Sequence, residues 1–216
     1  MEDTYKHKGL RKQLIQEITR KGIKNSAVIA AIGKIPRHLF FDKIFENHAY
    51  EDKAFPIAAG QTISQPFTVA FQSEKLNVKP GDKMLEIGTG SGYQACVLLE
   101  LGAEVYTIEY QKKLYQKAIR FLPSIGYQPH MYHGDGSVGI PRFAPYDGII
   151  VTAGAPSVPK ELVQQLKVGG KLVIPVGDEK LQSMLVLTKV DDNKVKKEEF
   201  DHFSFVPLQG KRGRLD

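Results

Sequence analysis

Four groups of residues in this 216-residue chain have types and spacings that can do chemistry. Glu86 stands two positions before Gly88, and Gly90 and Gly92 follow at the same step. Glu109 lies about twenty positions beyond the first of these glycines. Asp135 and Gly136 belong to a Gly-Asp-Gly turn, and Gln61, Thr62, Ile63 and Ser64 form a largely polar stretch just ahead of Pro66. Glycine at a turn lets the backbone take positive φ and lets a ligand approach the main chain. A dinucleotide fold needs G-x-G-x-x-G, which seats a pyrophosphate on a helix N-terminus. The run here is E-x-G-x-G-x-G. An acid ahead of the first glycine suits a ligand with a cationic amine and no phosphate, and S-adenosylmethionine is such a ligand.

These residues need elements to hold them. Lys83 to Ile87 alternates apolar residues as a buried strand does, and Tyr93 to Glu100 reads as a helix whose positive end faces the glycines. Strand, glycine turn and helix make a ligand-binding corner at the carboxyl edge of a parallel sheet. Upstream, Leu10, Leu14, Ile15 and Ile18 predict an amphipathic helix over 4–21, ended by Gly22. Asn25 or Ser26 caps a second helix, Ala27 to Ile32, closed by Gly33. An aromatic, irregular stretch follows from Pro36-Arg37-His38-Leu39-Phe40. Two helices and a loop cannot form a core alone, so they are expected to cover the ligand edge of the sheet.

Phe55 to Pro66 has prolines at both ends and a central glycine, which excludes a helix or central strand. It carries Gln61, Thr62 and Ser64 to the start of a helix, Phe67 to Leu76, with Pro66 in its first turn. Strands are expected at Glu104 to Ile108, Gln128 to Tyr132, Asp147 to Val151 and Lys171 to Ile174, with helices at Gln111 to Phe121 and Pro159 to Leu166. Ser183 to Thr188, a charged tip near Asp191-Asp192-Asn193 and a returning strand around Phe203 to Val206 make a terminal hairpin. The fold class is therefore α/β: a doubly wound, mostly parallel Rossmann-like sheet with an antiparallel C-terminal edge and an N-terminal helical extension. One domain is expected, with 1–76 as helical cover and substrate loop, 77–178 as cofactor-binding core and 179–216 as the antiparallel edge.

In that architecture Glu109 closes the second strand, where a carboxylate accepts hydrogen bonds from both ribose hydroxyls. The competing reading is an acid that serves only a helix dipole. Asp135, at the same edge, can accept from an adenine amine or be an ordinary turn residue. His133 is taken as structural, and no histidine shows ligand spacing with cysteine or acids, so no metal is expected. Cys96 falls inside a helix and reads as a small core residue.

Composition excludes other classes. Hydrophobic content of 42% and charged content of 25% are those of a globular protein. The net charge of +6 invites a nucleic-acid reading, but the charges are mixed along the chain. The one dense basic run, Lys194 to Lys197, abuts Glu198 and Glu199 and reads as a solvated face. No apolar run has the length of a membrane span, no secretory segment follows Met1, and a single cysteine fits a reducing compartment. A cytoplasmic monomer without nucleic-acid or membrane partners is expected.

The segments LEIGTGSGY (85–93), VYTIE (105–109), GDG (134–136), APYDGIIVTAGAP (144–156) and LKVGGKLVIPVG (166–177) resemble the successive motifs of class I S-adenosylmethionine-dependent methyltransferases. Together with AGQTISQPFTVA (59–70) and FVPL (205–208), they resemble the protein-L-isoaspartate (D-aspartate) O-methyltransferase family. The GQTIS element discriminates, because general class I enzymes lack it. The resemblance implies methyl transfer to the free carboxylate of L-isoaspartyl and D-aspartyl residues in damaged proteins and peptides. The ester recloses to a succinimide, which begins repair, and S-adenosyl-L-homocysteine is the second product. It further implies that Ser64 donates a hydrogen bond to the substrate carboxylate, and that Gln61, Thr62, Ile63 and Ser64 touch the cofactor. By the same carry-over Ile63 and Val206 line the isoaspartyl backbone, and Glu86 reaches the methionine amine directly or through water. A helix-capping role for Ser64 is compatible with this one. Ala58 stands where the family commonly has glycine, and Lys211, Arg212 and Arg214 read as a solvated tail. Three other readings are a class I methyltransferase acting on RNA or a small molecule, a nicotinamide oxidoreductase, and a non-catalytic module that retains the pocket.

Overall fold

The computed structural model describes residues 2–213. Helix α1 (Tyr5–Arg20) starts at a box in which the Thr4 hydroxyl accepts from the His7 N–H and the His7 ring returns to the Thr4 N–H. Helix α2 (Ser26–Lys34) starts at Asn25, whose side chain accepts from the Ala27 and Val28 N–H groups. Gly33 does not close this helix, contrary to the sequence reading. The helix runs on to Lys34 and stops at Ile35, which is extended because Pro36 follows. Two short strands, β1 (Phe55–Pro56) and β2 (Thr62–Ile63), pair antiparallel and pin the ends of the GQTIS loop. Helix α3 (Pro66–Leu76) follows at once with proline in its first turn.

The chain then alternates: β3 (Lys83–Ile87), α4 (Tyr93–Glu100), β4 (Glu104–Glu109), α5 (Lys112–Ser124), β5 (His130–His133), β6 (Tyr146–Val151), α6 (Lys160–Gln164) and β7 (Leu166–Gly177). The hairpin of β8 (Gln182–Lys189) and β9 (Val195–Phe203) completes it. The seven-stranded sheet has the order β5-β4-β3-β6-β7-β8-β9, parallel through β7 and antiparallel beyond. From β3 the chain builds outward through β4 and β5, then returns to lay β6 against the other side of β3. That reversal opens a crevice beyond the carboxyl ends of β3, β4 and β6. The central strands are covered on both faces, which is why Leu85, Ile87, Ile149, Ile150, Val151, Leu172, Val173 and Ile174 are all buried.

The helical extension packs on one side of this sheet. Leu14 and Ile18 of α1 and Val28 and Ile32 of α2 join Val69 of α3 and Tyr93 and Val97 of α4 in one apolar cluster. The terminal hairpin differs from expectation in its second arm. Its returning strand is the charged segment Val195–Phe203, not the apolar stretch at Phe203 to Val206. As the sheet edge, β9 keeps Lys196, Lys197, Glu198 and Glu199 exposed, and charges there oppose pairing with another chain. The Phe205 side chain instead tucks into the core, and the segment after it lies along Gly154. Among the described residues no helix is long and apolar enough to cross a membrane.

Candidate active site

The crevice is a cleft lined by Gln61, Thr62, Ser64, Glu86, Gly88, Gly90, Glu109, Gly136 and Val206 among others. Its floor is shaped by glycine. Gly88 has φ +95°, and a Cβ there would lie 2.6 Å from Thr152 Oγ1. That hydroxyl sits 2.7 Å from the Gly88 carbonyl and 3.0 Å from the Ile87 carbonyl, tying the turn to the end of β6. The Glu109 carboxylate ties it to β4. Oε2 accepts the Gly90 N–H at 2.8 Å, and Oε1 accepts the Gln111 N–H at 2.8 Å. Each oxygen keeps a further lone pair for a ligand hydroxyl.

Glu86 is fully buried, and its Oε1 has no partner among the described residues. Oε2 accepts from Thr107 Oγ1 at 2.5 Å, and Thr107 Oγ1 is 2.6 Å from Thr89 Oγ1. Burial pushes the acid up to about 8, the Thr107 hydrogen bond opposes the shift, the charge of Glu109 adds to it, and the Ala95 main-chain N–H at the start of α4 also favours the carboxylate. An orphaned carboxylate oxygen on the wall of a cleft is complementary to a cation. With Glu109 also on the cleft wall and glycine backbone between the two acids, the donor set fits S-adenosylmethionine.

Three of the expected residues lie off the cleft wall. Ile63 is 2% exposed, its side chain in the core while Thr62 and Ser64 face the opening. Gly92 (φ +85°) begins α4, and a Cβ there would lie 2.6 Å from Leu122 Cδ2, so it serves the approach of α4 to α5. Asp135 is engaged with the C-terminal segment: Oδ1 accepts from the Ser137 N–H and hydroxyl, and Oδ2 accepts the Lys211 N–H at 2.8 Å. His133 is exposed beside Tyr115 and does not reach the cleft. The tail is not simply solvated. The Arg212 guanidinium pairs with Glu161 at 2.7 Å and the Arg212 main-chain N–H donates to Ser137 Oγ; Arg214 lies outside the described residues.

Ser64 occupies a boundary. It and Thr62 line both the cleft and a second cavity, whose other walls include Gln65, Phe67, His202 and Phe203. The Ser64 hydroxyl does not cap α3; Asp52 does so from a distance, its Oδ1 accepting the Phe67 N–H at 2.7 Å. The cleft also uses residues that sequence reasoning did not single out: Thr89, Tyr110, Thr152 and Gln209, with Thr107 behind Glu86. Thr107 carried a signal, being the one aliphatic hydroxyl in β4 and paired directly beside Glu86. Arg37, also missed, is fully buried and donates from Nη2 to the Ser64 carbonyl at 2.9 Å. Its signal was a lone cation within an aromatic stretch.

This sheet order, with an acid-and-glycine corner at its switch point, defines a class I S-adenosylmethionine-dependent methyltransferase. The family model described as Protein-L-isoaspartate(D-aspartate) O-methyltransferase matches residues 9–213, and the chain belongs to that family. A protein-L-isoaspartate O-methyltransferase of Cytophaga hutchinsonii is 58% identical over 213 residues, covering 99% of this chain and 96% of its own. One of Christiangramia forsetii is 59% identical over 209 residues, covering 96% and 98%. Among solved structures, a protein-L-isoaspartate O-methyltransferase superposes with a TM-score of 0.83 at 29% identity, over 94% of this chain and 67% of the other. A structure described as the Plasmodium falciparum beta-aspartate methyltransferase in complex with S-adenosyl-L-homocysteine gives 0.79 at 26% identity, over 92% and 98%.

Proposed function

We propose that the protein methylates the free carboxylate of L-isoaspartyl and D-aspartyl residues in damaged proteins and peptides, and so starts their return to normal linkage through succinimide. The observation that carries this reading is the position of Ser64, which lines the cleft and the neighbouring cavity at once while its hydroxyl makes no hydrogen bond with a described residue.

S-adenosylmethionine, when bound, supplies an electrophilic methyl on a sulfonium whose departure leaves a neutral thioether. Glu86 Oε1 and the main chain of Gly88 and Gly90 would hold its amino-acid end, and Glu109 its ribose. Gln61, Thr62 and Ser64 would close the remaining side. Gly136 lets its turn pack directly on the sheet at the adenine side, since a Cβ there would lie 2.6 Å from Ile87 Cγ2. Asp135, held off the cleft wall by Ser137 and Lys211, would reach an adenine amine only with a shift of the C-terminal segment that now engages it. Gly92 stands outside this set and serves the packing of α4 on α5, and Ile63 and Val206 would offer main chain to the isoaspartyl residue. The Val206 carbonyl already accepts the Gly154 N–H at 2.8 Å, which fixes its strap at the cleft mouth.

A carboxylate is ionised at neutral pH and needs no general base. The residues therefore contribute alignment: the Ser64 hydroxyl donates to one carboxylate oxygen, leaving the other to attack, and the closed loop keeps water out. A monomer acting in the cytoplasm suits this role. The test is a matched peptide pair differing only in backbone linkage. Base-labile methyl ester on the isoaspartyl member alone supports the reading, while equal labelling of both, base-stable incorporation, or labelling of RNA instead overturns it.

A further inference from the structure

Arg37 opens a short turn, Arg37–Phe40, after Pro36, and its own side chain is fully buried. Its Cζ lies 4.5 Å from the Tyr93 ring centroid and 5.4 Å from that of Phe41. One donor, on Nη2, meets the Ser64 carbonyl at 2.9 Å; Nε and Nη1 meet no acceptor among the described residues. No carboxylate among them pairs with it. Asp52 is the acid whose charge reaches it, but the Asp52 oxygens already serve Lys21, Gln65 and the Phe67 N–H. Burial pushes the guanidinium pKa down, yet arginine starts so high that it stays charged at neutral pH.

A whole positive charge is thus held behind the Ser64 turn by aromatic faces, one carbonyl and the nearby Tyr93 hydroxyl, with no carboxylate paired to it. Tyr93, the ring it stacks on, is itself a wall of the cleft. Holding one carbonyl does not require a cation, and burying an unpaired charge is costly. Aromatic faces recover part of that cost. The missing counter-charge has an evident source in the anion that the turn receives.

We propose that Arg37 is a positioning residue for the methyl acceptor: it fixes the Ser64 turn through its carbonyl, and its buried charge favours docking of a carboxylate there. This rests on the function proposed above. The acceptor oxygen loses negative charge as its bond to the methyl carbon forms and the bond from that carbon to sulfur breaks. A fixed cation therefore favours the bound carboxylate more than the transition state. Its contribution falls on substrate affinity and not on turnover. Toward the cationic methyl donor the same charge is neutral or mildly repulsive.

The experiment compares wild type, R37K and R37Q, with peptide KM, kcat, S-adenosylmethionine affinity and melting temperature measured for each. The expected result is a peptide KM about tenfold higher in R37Q and about threefold higher in R37K, with kcat within about threefold of wild type and donor affinity unchanged or slightly tighter. Equal KM values for R37K and R37Q, or parallel losses of kcat, donor affinity and melting temperature, overturn it. If R37Q does not fold, R37K decides alone: raised KM with retained kcat supports the proposal, and unchanged KM or lost kcat overturns it. A wild type inert toward the isoaspartyl peptide sinks the functional reading itself, whereas an active wild type with no split among variants sinks only the role of Arg37.

Discussion

Thr107 Oγ1 donates to Glu86 Oε2 at 2.5 Å, between two adjacent strands, and both side chains are fully buried. The hydroxyl lowers the acid's pKa while burial raises it, and burial wins, leaving Glu86 at about 8 against an ordinary 4.5. The ligand-free fold therefore retains a proton that the unfolded chain releases. Below about pH 4.5 both states hold it and Glu86 contributes nothing to the balance. As pH rises toward 8 the folded state is penalised, by on the order of a few kcal/mol. E86Q should accordingly melt higher than wild type near pH 8 and at the same temperature near pH 4.5, while losing most affinity for S-adenosylmethionine. Calorimetric melting across this range checks it; a wild type that gains on E86Q as pH rises contradicts it.

The same linkage should appear in cofactor binding. A cationic amine favours ionised Glu86, so binding below pH 8 should expel up to one proton, and affinity should rise with pH by at most about tenfold per unit until the ligand-free acid is ionised. T107V removes the hydroxyl that favours the carboxylate, which should weaken binding at neutral pH by about tenfold and move the pH dependence upward. Titration calorimetry in buffers of different ionisation enthalpy measures the proton directly. Binding without proton release between pH 6 and 7 would show that Glu86 is already ionised in the free protein.

How much of this was legible follows from where each interaction is encoded. The Glu86-to-Gly92 corner and Glu109 could be read because their partners are backbone groups that glycine spacing announces. The alternation of strands and helices fixed the parallel core for the same local reason. Gly33 misled because a helix tolerates an interior glycine when its face packs, here against Ile15. The edge strand β9 misled because a charged sequence looks like a loop unless the hairpin partner is known. Arg37 could not be matched to Ser64, 27 residues away, since that bond ends on a carbonyl and leaves no mark on residue types. The tie between Lys211 and Asp135 is hidden likewise, being made through a main-chain N–H.

Gly92 offers a clean separation of packing from ligand binding. G92A forces φ +85° on a residue with a side chain, and sets its Cβ 2.6 to 3.0 Å from Leu122 carbons. Left-handed backbone costs about 1–2 kcal/mol and overpacking about 1–3 kcal/mol. The melting temperature should fall by roughly 5–15 °C for a chain of this size. Because Gly92 is not on the cleft wall, S-adenosylmethionine affinity measured well below the melting point should stay within about threefold. Loss of affinity with an unchanged melting temperature would instead assign Gly92 to the cofactor.

Ser64 should behave in the opposite way. Its hydroxyl makes no hydrogen bond with any described residue, and the helix after it is capped by Asp52. S64A therefore deletes no native contact, and stability should stay within about 0.5 kcal/mol of wild type. What it deletes is a hydrogen bond to a charged acceptor, a class that contributes about 1.5–3 kcal/mol. The expected loss in kcat/KM toward an isoaspartyl peptide is about 10- to 100-fold, with cofactor affinity within about threefold. S64T retains the hydroxyl but adds a methyl beside Thr62, so it should keep more activity than S64A if the hydrogen bond matters. Steady-state kinetics on both variants, alongside cofactor titration, tests the assignment. Full activity in S64A would leave substrate alignment to the main chain of the turn, and the hydroxyl would have no part in it.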